Sequence, residues 1–216
     1  MIGVNILSTQ MIPNAPSSLC KALGLKGKNR TLGLISTDCD DATYIALDEA
    51  TKSASVEVVY AKSLYAGASN ASTKLAGEVI GVIGGANPSE VQSGLNAAVS
   101  VLQTIGFEAA NEDGSIVYLA HCVSRSGSFL AKTANIAIGQ PIAYLIAPPV
   151  EAIVGLDAAL KAADVEMTAF FAPPSETNFA GGLLTGTQSA CLAACDAFGD
   201  AVRSVAACPR GEWNGI

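Results

Sequence analysis

The chain has one histidine, one tryptophan and no Cys-x-x-Cys pair among its 216 residues. A nucleophile paired with a base, or a zinc site of nitrogen and sulfur ligands, needs more than the single His121. Its setting, LAHCVS, reads as an apolar strand. His121 is therefore expected to be a packed structural residue, with Cys122 on the opposite strand face. Basic residues are scarce as well. Twelve Lys and Arg against nineteen Asp and Glu leave a net charge of −7. Without a Lys/Arg cluster, nucleic acid is not an expected partner. Residues 1–13 lack a positive segment ahead of a long apolar core, so no secretory signal is expected. The most apolar of the long uncharged stretches, 133–150, is broken by Gly139, Gln140, Pro141, Pro148 and Pro149. It reads as buried strand with turns, not as a membrane helix.

What is abundant is small and apolar. Half of the residues are hydrophobic and 14% are charged, which excludes a disordered chain. Such a surplus points either to surface buried against other subunits or to a core rich in Ala and Gly. The six cysteines are Cys20, Cys39, Cys122, Cys191, Cys195 and Cys208. Cys191 and Cys195 are four apart, on one face of an expected helix. The thiols read as small buried residues; a metal at Cys191/Cys195 or at His121 is the lesser reading and stays open.

The chain is also written twice. Residues 48–60, DEATKSASVEVVY, align with 157–169, DAALKAADVEMTA, at a constant offset of 109. Six of thirteen positions are identical: Asp48/Asp157, Ala50/Ala159, Lys52/Lys161, Ala54/Ala163, Val56/Val165 and Glu57/Glu166. Typical residue frequencies would give about one match. Each copy reads as an Ala-rich helix, then a β-rich run at 56–60 or 165–171. A loop of small residues follows, at 65–77 or 171–182, then a glycine-spaced strand at 78–83 or 183–187. A second helix, 88–105 or 189–207, closes each half. The front parts match more loosely. Strand 4–7 leads through Ser18-Leu19-Cys20-Lys21 to strand 31–36, and strand 116–120 leads through Phe129-Leu130-Ala131-Lys132 to strand 142–147. The expected fold class is α/β, an α+β sandwich of helices on mixed sheets, in two domains, 1–106 and 107–216. The polar turn Asn111-Glu112-Asp113-Gly114 lies beside the boundary.

Several strings carry a family resemblance. LGLISTDCDDATYIALDEATK, VEVVYAKSLYAG and GEVIGVIGG in the first half, with HCVSRSGSFLAKTANI, AYLIAPPVEA, GLDAALKAADV and PPSETNFAGGLLTG in the second, closely resemble the L-type shell proteins of the ethanolamine-utilization bacterial microcompartment. The resemblance runs from about residue 30 to the tail at 208–216. It implies two circularly permuted microcompartment-shell domains in tandem. It also implies a homotrimer that tiles with other microcompartment shell proteins in the cytoplasm, and a central pore that opens and closes. Small acidic pores where ethanolamine binds are implied too, with contacts at Asp40, Phe107 and Thr177. A cobalamin-dependent ammonia-lyase works inside such compartments, so cobalamin is the candidate large solute for the central pore. Neither a cofactor nor a catalytic residue is implied.

The carboxylates fit that picture. Asp40 and Asp41 follow strand 31–36, and Glu151 follows strand 142–147 at nearly the same point of the repeat. Glu78 opens the strand after the long loop. Together Asp40, Asp41, Glu78 and Glu151 form a candidate acidic patch, if the two halves meet about a pseudo-two-fold axis. An ammonium needs such acceptors, a hydroxyl needs a partner such as Thr177 or the backbone near Ala147, and Phe107 offers a cation–π wall. Simpler roles stay open: Asp40 and Asp41 as helix caps, and Glu78 as solvated surface. GEVIGVIGG fits neither a Walker loop nor a dinucleotide fingerprint. Gly181-Gly182 ends the second loop and reads as a hinge, while Trp213 and the tail read as a loosely ordered end. Two other function classes are weighed: an enzyme built on Asp40/Asp41, and a soluble regulatory protein that binds a small amine.

Overall fold

The computed structural model describes residues 1–25, 30–63, 78–173, 175 and 177–210. Loop 65–77, Pro174 and Trp213 lie outside the described residues. Within them, the first half contains β1 (Ile2–Gly3), β2 (Ile6–Ile12), α1 (Ser17–Ala22), β3 (Thr31–Thr37), α2 (Asp40–Ser53), β4 (Val56–Ser63), β5 (Val79–Gly85) and α3 (Pro88–Leu102). The second half contains β6 (Gly106–Ala109), β7 (Val117–Val123), α4 (Ser128–Ala134), β8 (Ile142–Ala147), α5 (Pro149–Ala162), β9 (Val165–Phe171), β10 (Ala180–Gly186) and α6 (Gln188–Ala207).

Two compact units result. The first is Gly3–Gly106 with Ser126–Lys132; the second is Met1–Ile2, Phe107–Arg125 and Thr133–Ile216. The first unit's sheet has the order β2-β3-β5-β4, and the second's has the order β1-β6-β7-β8-β10-β9. Apart from β1 and β6 the two orders are the same, strand for strand, as a duplicated α/β domain requires. The inner strands pair antiparallel throughout, β3 with β5 and β8 with β10. Helices α2 and α3 pack together over the first sheet, and α5 and α6 over the second.

Local chemistry sets the element ends. Asp40 and Asp41 in the first turn of α2, and Lys52 in its last, suit the helix dipole. Asn87 caps α3 by accepting the Glu90 N–H at 3.0 Å, with Pro88 in the first turn. Thr187 caps α6 in the same way through Ala190, at 3.2 Å. Of the stretch 133–150 read as buried strand with turns, 142–147 is β8, IAYLIA, with every residue buried, while its two ends belong to α4 and α5. β2 runs to Ile12, farther than the expected 4–7, because its whole length pairs with β3 before Pro13 ends the ladder.

Two glycines set packing distances. A Cβ on Gly155 of α5 would lie 2.6 Å from the Phe198 ring of α6, so its absence lets the two helices close on that ring. Gly181 and Gly182 are not a hinge. Both lie inside β10, opposite Ile146 and Leu145 on one side and Phe171 and Phe170 on the other. A Cβ on Gly181 would sit 1.9 Å from the Leu145 carbonyl oxygen, so the glycine serves close strand approach.

Segment Ser126–Lys132 follows β7 in the chain but packs with the first unit. Asp48 of α2, fully buried, holds it there. Its carboxylate accepts the N–H of Gly127 at 2.6 Å and of Leu130 at 2.8 Å. Thr51 Oγ1 accepts the Ser128 N–H at 3.1 Å, and the Tyr44 and Phe129 rings meet at 6.0 Å. Gly127 has no room for a side chain, since a Cβ would lie 2.6 Å from the Asp48 carbonyl oxygen. Burial pushes the Asp48 carboxyl above its ordinary range, while the two backbone donors pull the other way.

Replacing that carboxylate leaves buried donors without an acceptor. Asp48→Ala should cost about 1–3 kcal/mol for each donor left unsatisfied. Urea unfolding and faster hydrogen exchange at Gly127 and Leu130 would report it; an unchanged midpoint with unchanged exchange would deny the joint any role in stability.

Candidate functional site

The acidic residues of the first unit gather where β3 gives way to α2. Thr37, the last residue of β3, shares a 2.7 Å hydrogen bond with Thr43 and accepts the Cys39 N–H at 3.1 Å. Thr43 in turn donates to the Cys39 carbonyl at 2.7 Å. This hydroxyl network fixes the turn that carries Asp38 and Asp40. Asp40 opens α2 nearly buried; one of its oxygens accepts the Asp41 N–H at 2.9 Å, and the other accepts the Ser63 hydroxyl at the end of β4. Asp38 is held by the backbone and side-chain N–H groups of Asn5, at 2.8 and 2.6 Å.

Glu78 joins this group from the start of β5, where its N–H donates to the Thr37 carbonyl at 2.8 Å. Burial, then the charges of Asp40 and Asp38, push its carboxyl above the ordinary range. Glu78 is thus half-buried among like charges and not the solvated surface residue that the sequence left open. Asp41 is also buried. Glu151 stands in the first turn of α5, in the second unit. The helix-end reading of Asp40 is correct in position only, because Cys39 is the N-cap and Asp40 the first helical residue.

Phe107 and Thr177 belong to the second unit and are linked there through Phe179. The rings of Phe107 and Phe179 lie 5.4 Å apart, and the Phe179 N–H donates to Thr177 Oγ1 at 3.3 Å. Ser175 ties the same turn by donating to the Phe179 carbonyl at 2.7 Å and accepting the Thr177 N–H at 3.2 Å. Asp38, Ser63, Phe179 and Ser175 were missed in the sequence. Asp38 was available in the string STDCDD; nothing local marks Ser63, which comes from another strand.

The thiols are only partly as expected. All six are free; Cys20, Cys191 and Cys195 are buried, Cys39 and Cys122 half-buried, and Cys208 exposed. Cys122 faces the second unit's core with Cys191 and Cys195, and burial pushes it up to about 11. Neutral thiols of that kind are poor metal ligands and poor nucleophiles. His121 sits opposite Tyr144 in the β7–β8 ladder and is half-buried, less enclosed than a packed core histidine. Among the described residues no group of three or more His, Cys, Asp or Glu could hold a metal ion. No helix of those residues is long and apolar enough to cross a membrane.

Comparison with known proteins gives concordant matches. The BMC domain family matches residues 31–112. The bacterial microcompartment shell protein EutL of Clostridium perfringens is 62% identical over 98% of each chain. EutL of Salmonella typhimurium is 49% identical over 97% of this chain and 96% of its own. The crystal structure of EutL from Leptotrichia buccalis superposes with a TM-score of 0.95 at 58% identity, covering 97% of each chain.

Glu78 makes the electrostatics of the acidic group measurable. Its folded pKa stands above the unfolded value, so its contribution to stability is full below the unfolded value and is lost as pH rises through the folded one. Glu78→Gln should therefore stabilise the fold at neutral pH and flatten this part of the stability–pH curve. Thermal unfolding from pH 4 to 8 would show it; parallel curves for variant and parent would mean that Glu78 feels no such crowding.

Proposed function

This chain belongs to the EutL family of bacterial microcompartment shell proteins, and from that premise we propose that it is a solute-passing tile whose acidic site takes ethanolamine. It is a structural component of the ethanolamine-utilization microcompartment shell within the bacterial cytoplasm and is not an enzyme. The observation that carries the finer reading is the crowding of Asp38, Asp40 and Glu78 at one turn, which raises the Glu78 carboxyl. Like charges held that way are relieved by a cation. Ethanolamine is a small cation near neutral pH with one further hydroxyl to place. The assignment of Phe107 and Thr177 as ethanolamine contacts belongs to the same proposal, as does that of Asp41 and Glu151 to the acidic patch.

Assembly follows from the duplication. Two like domains per chain fill six like positions when three chains close a ring, so a homotrimer tiling with other shell proteins is proposed. A central pore at the ring axis, gated by loop 65–77 and by the part of 171–182 that lies between β9 and β10, completes the proposal, with cobalamin as a candidate large solute. The first of these loops lies outside the described residues. A soluble amine-binding regulator would use the same acidic group but would not tile. Electron microscopy of the pure protein separates the two, since a shell tile packs edge to edge in sheets.

Titration calorimetry tests the site. Asp40→Asn should weaken ethanolamine binding roughly ten- to a hundredfold, as loss of a charge-assisted contact worth about 1.5–3 kcal/mol. Binding by the parent should strengthen as pH rises through the raised Glu78 range, and Glu78→Gln should remove that rise. Thr177→Ala should weaken binding more modestly. Unchanged affinity in Asp40→Asn would place the amine elsewhere. For the assembly, native mass spectrometry should find three chains per particle; a stable monomer would contradict the ring.

A further inference from the structure

Three thiols gather in the core of the second unit: Cys122 of β7 with Cys191 and Cys195 of α6. The repeat shows what these positions need for packing alone. Cys122 lies opposite Ala143 in the β7–β8 ladder, as Met11 lies opposite Gly33 between β2 and β3. Cys191 and Cys195 follow the Thr187 cap of α6 at the same spacing as Val91 and Leu95 follow the Asn87 cap of α3. All four of these helix residues are buried. The first unit thus fills the three places with Met, Val and Leu, which supply bulk and no reactive group. The second fills all three with a smaller side chain that carries a thiol.

Strand and helix bring two of these sulfurs to one spot. A Cβ on Gly33 would lie 2.7 Å from a Val91 methyl carbon and 2.9 Å from Leu95 Cγ, so in the first unit the helix rests directly on that strand position. Ala143, its counterpart, carries such a Cβ beneath Cys191 and Cys195. Burial raises the Cys191 thiol, while the backbone N–H groups of Ala143 and Gly186 beside its sulfur pull the other way. Residues directly opposite in a ladder hold their Cβ atoms about 4.5–5.5 Å apart on one face. Cys122 therefore stands next to Ala143 on the side that meets α6. Its thiol donates to the Gln188 carbonyl at 3.9 Å, in the turn of α6 just before Cys191. Each of the two thiols lies against a neighbour of the other. Cys122 is half-buried and Cys191 fully buried, so a solute reaches the pair through Cys122.

We propose that Cys122 and Cys191 close a reversible disulfide, a redox-sensitive staple between β7 and α6, with a low-molecular-weight disulfide as the oxidant. The Cys122 thiolate attacks one sulfur of that oxidant, and the other sulfur leaves as a thiolate and takes up a proton. Cys191, deprotonated in turn, attacks the Cys122 sulfur of the mixed disulfide and expels the second small thiol. Two protein thiols are oxidised and one small disulfide is reduced to two thiols, with no net change in protons. Because burial keeps both thiols protonated, the pair stays reduced until such an oxidant accumulates, and closure is faster at higher pH. A cytoplasmic disulfide of this kind senses redox state and is not a permanent brace. Once closed, it ties residue 122 to residue 191 and restrains the unfolded chain over that long loop. Only the second unit carries the device, since Met11, Val91 and Leu95 leave the first without it. The proposal goes beyond the shell-tile reading and does not depend on it.

Oxidised glutathione, added to the purified full chain, tests it. Free thiols are then blocked and the peptides mapped by mass spectrometry. A Cys122–Cys191 linkage should appear, faster as pH rises, and dithiothreitol should reverse it. The melting temperature of the oxidised protein should rise and return on reduction. Cys195→Ala should still form the link. Cys191→Val, which places there the residue of the first unit, should abolish both the link and the rise. Glutathione left on Cys122 with Cys191 still free would overturn the proposal, as would a Cys191–Cys195 link in its place. Full retention of both thiols after prolonged oxidation at alkaline pH would do the same. The mapping is made on the parent chain, so it decides the matter even where a variant fails to fold.

Discussion

A helix that packs on a sheet with one side still has another side to account for, and in this fold a buried carboxylate settles that account for α2. Asp48 has no contact with water, and its hydrogen-bond partners are two backbone N–H groups of Ser126–Lys132. Burying an ionised group is costly unless its lone pairs are filled, and here fixed donors fill them. The consequence extends beyond the pair. A segment that belongs in sequence to the second half is committed to the first unit, so neither half of the chain is complete without residues from the other.

The acidic group is a second case of charge placed at a cost in stability. Asp38 is neutralised in part by donors from Asn5, and Asp40 by the Asp41 N–H and the Ser63 hydroxyl. Glu78 enters that neighbourhood half-buried and is pushed toward its neutral form. Like charges gathered in this way are destabilising among themselves and favour a cation over an anion nearby. The Asp40–Ser63 hydrogen bond also ties the group to the end of β4. The site is thus framed by a helix start and two strand ends, elements that the sheet holds in place.

Much of the fold was legible because hydrophobic pattern and repetition are local properties. β8 and β9 were read to the residue from apolar and β-rich runs, and the helix equivalent in the two copies was read from six identities at one offset. The misreadings have a common cause. Gly181-Gly182 looks like a hinge when only chain flexibility is considered, but the neighbouring Leu145 carbonyl makes it a place where two strands come close. Glu78 looks solvated until Asp38 and Asp40 are brought beside it. Ser63 has no mark at all, since its role arises only when β4 ends next to α2.

The sequence by itself determined the duplication, the α/β class and the acid-bearing turn after β3. All of these depend on residues near one another in the chain or on a fixed offset between copies. The tertiary structure alone decided that Asp48 is buried while its repeat partner Asp157 lies on the surface, paired with Lys161. The two residues are identical and sit in similar helices. What separates them is whether another part of the chain reaches that helix face, and burial of a charge is set by what surrounds it in space.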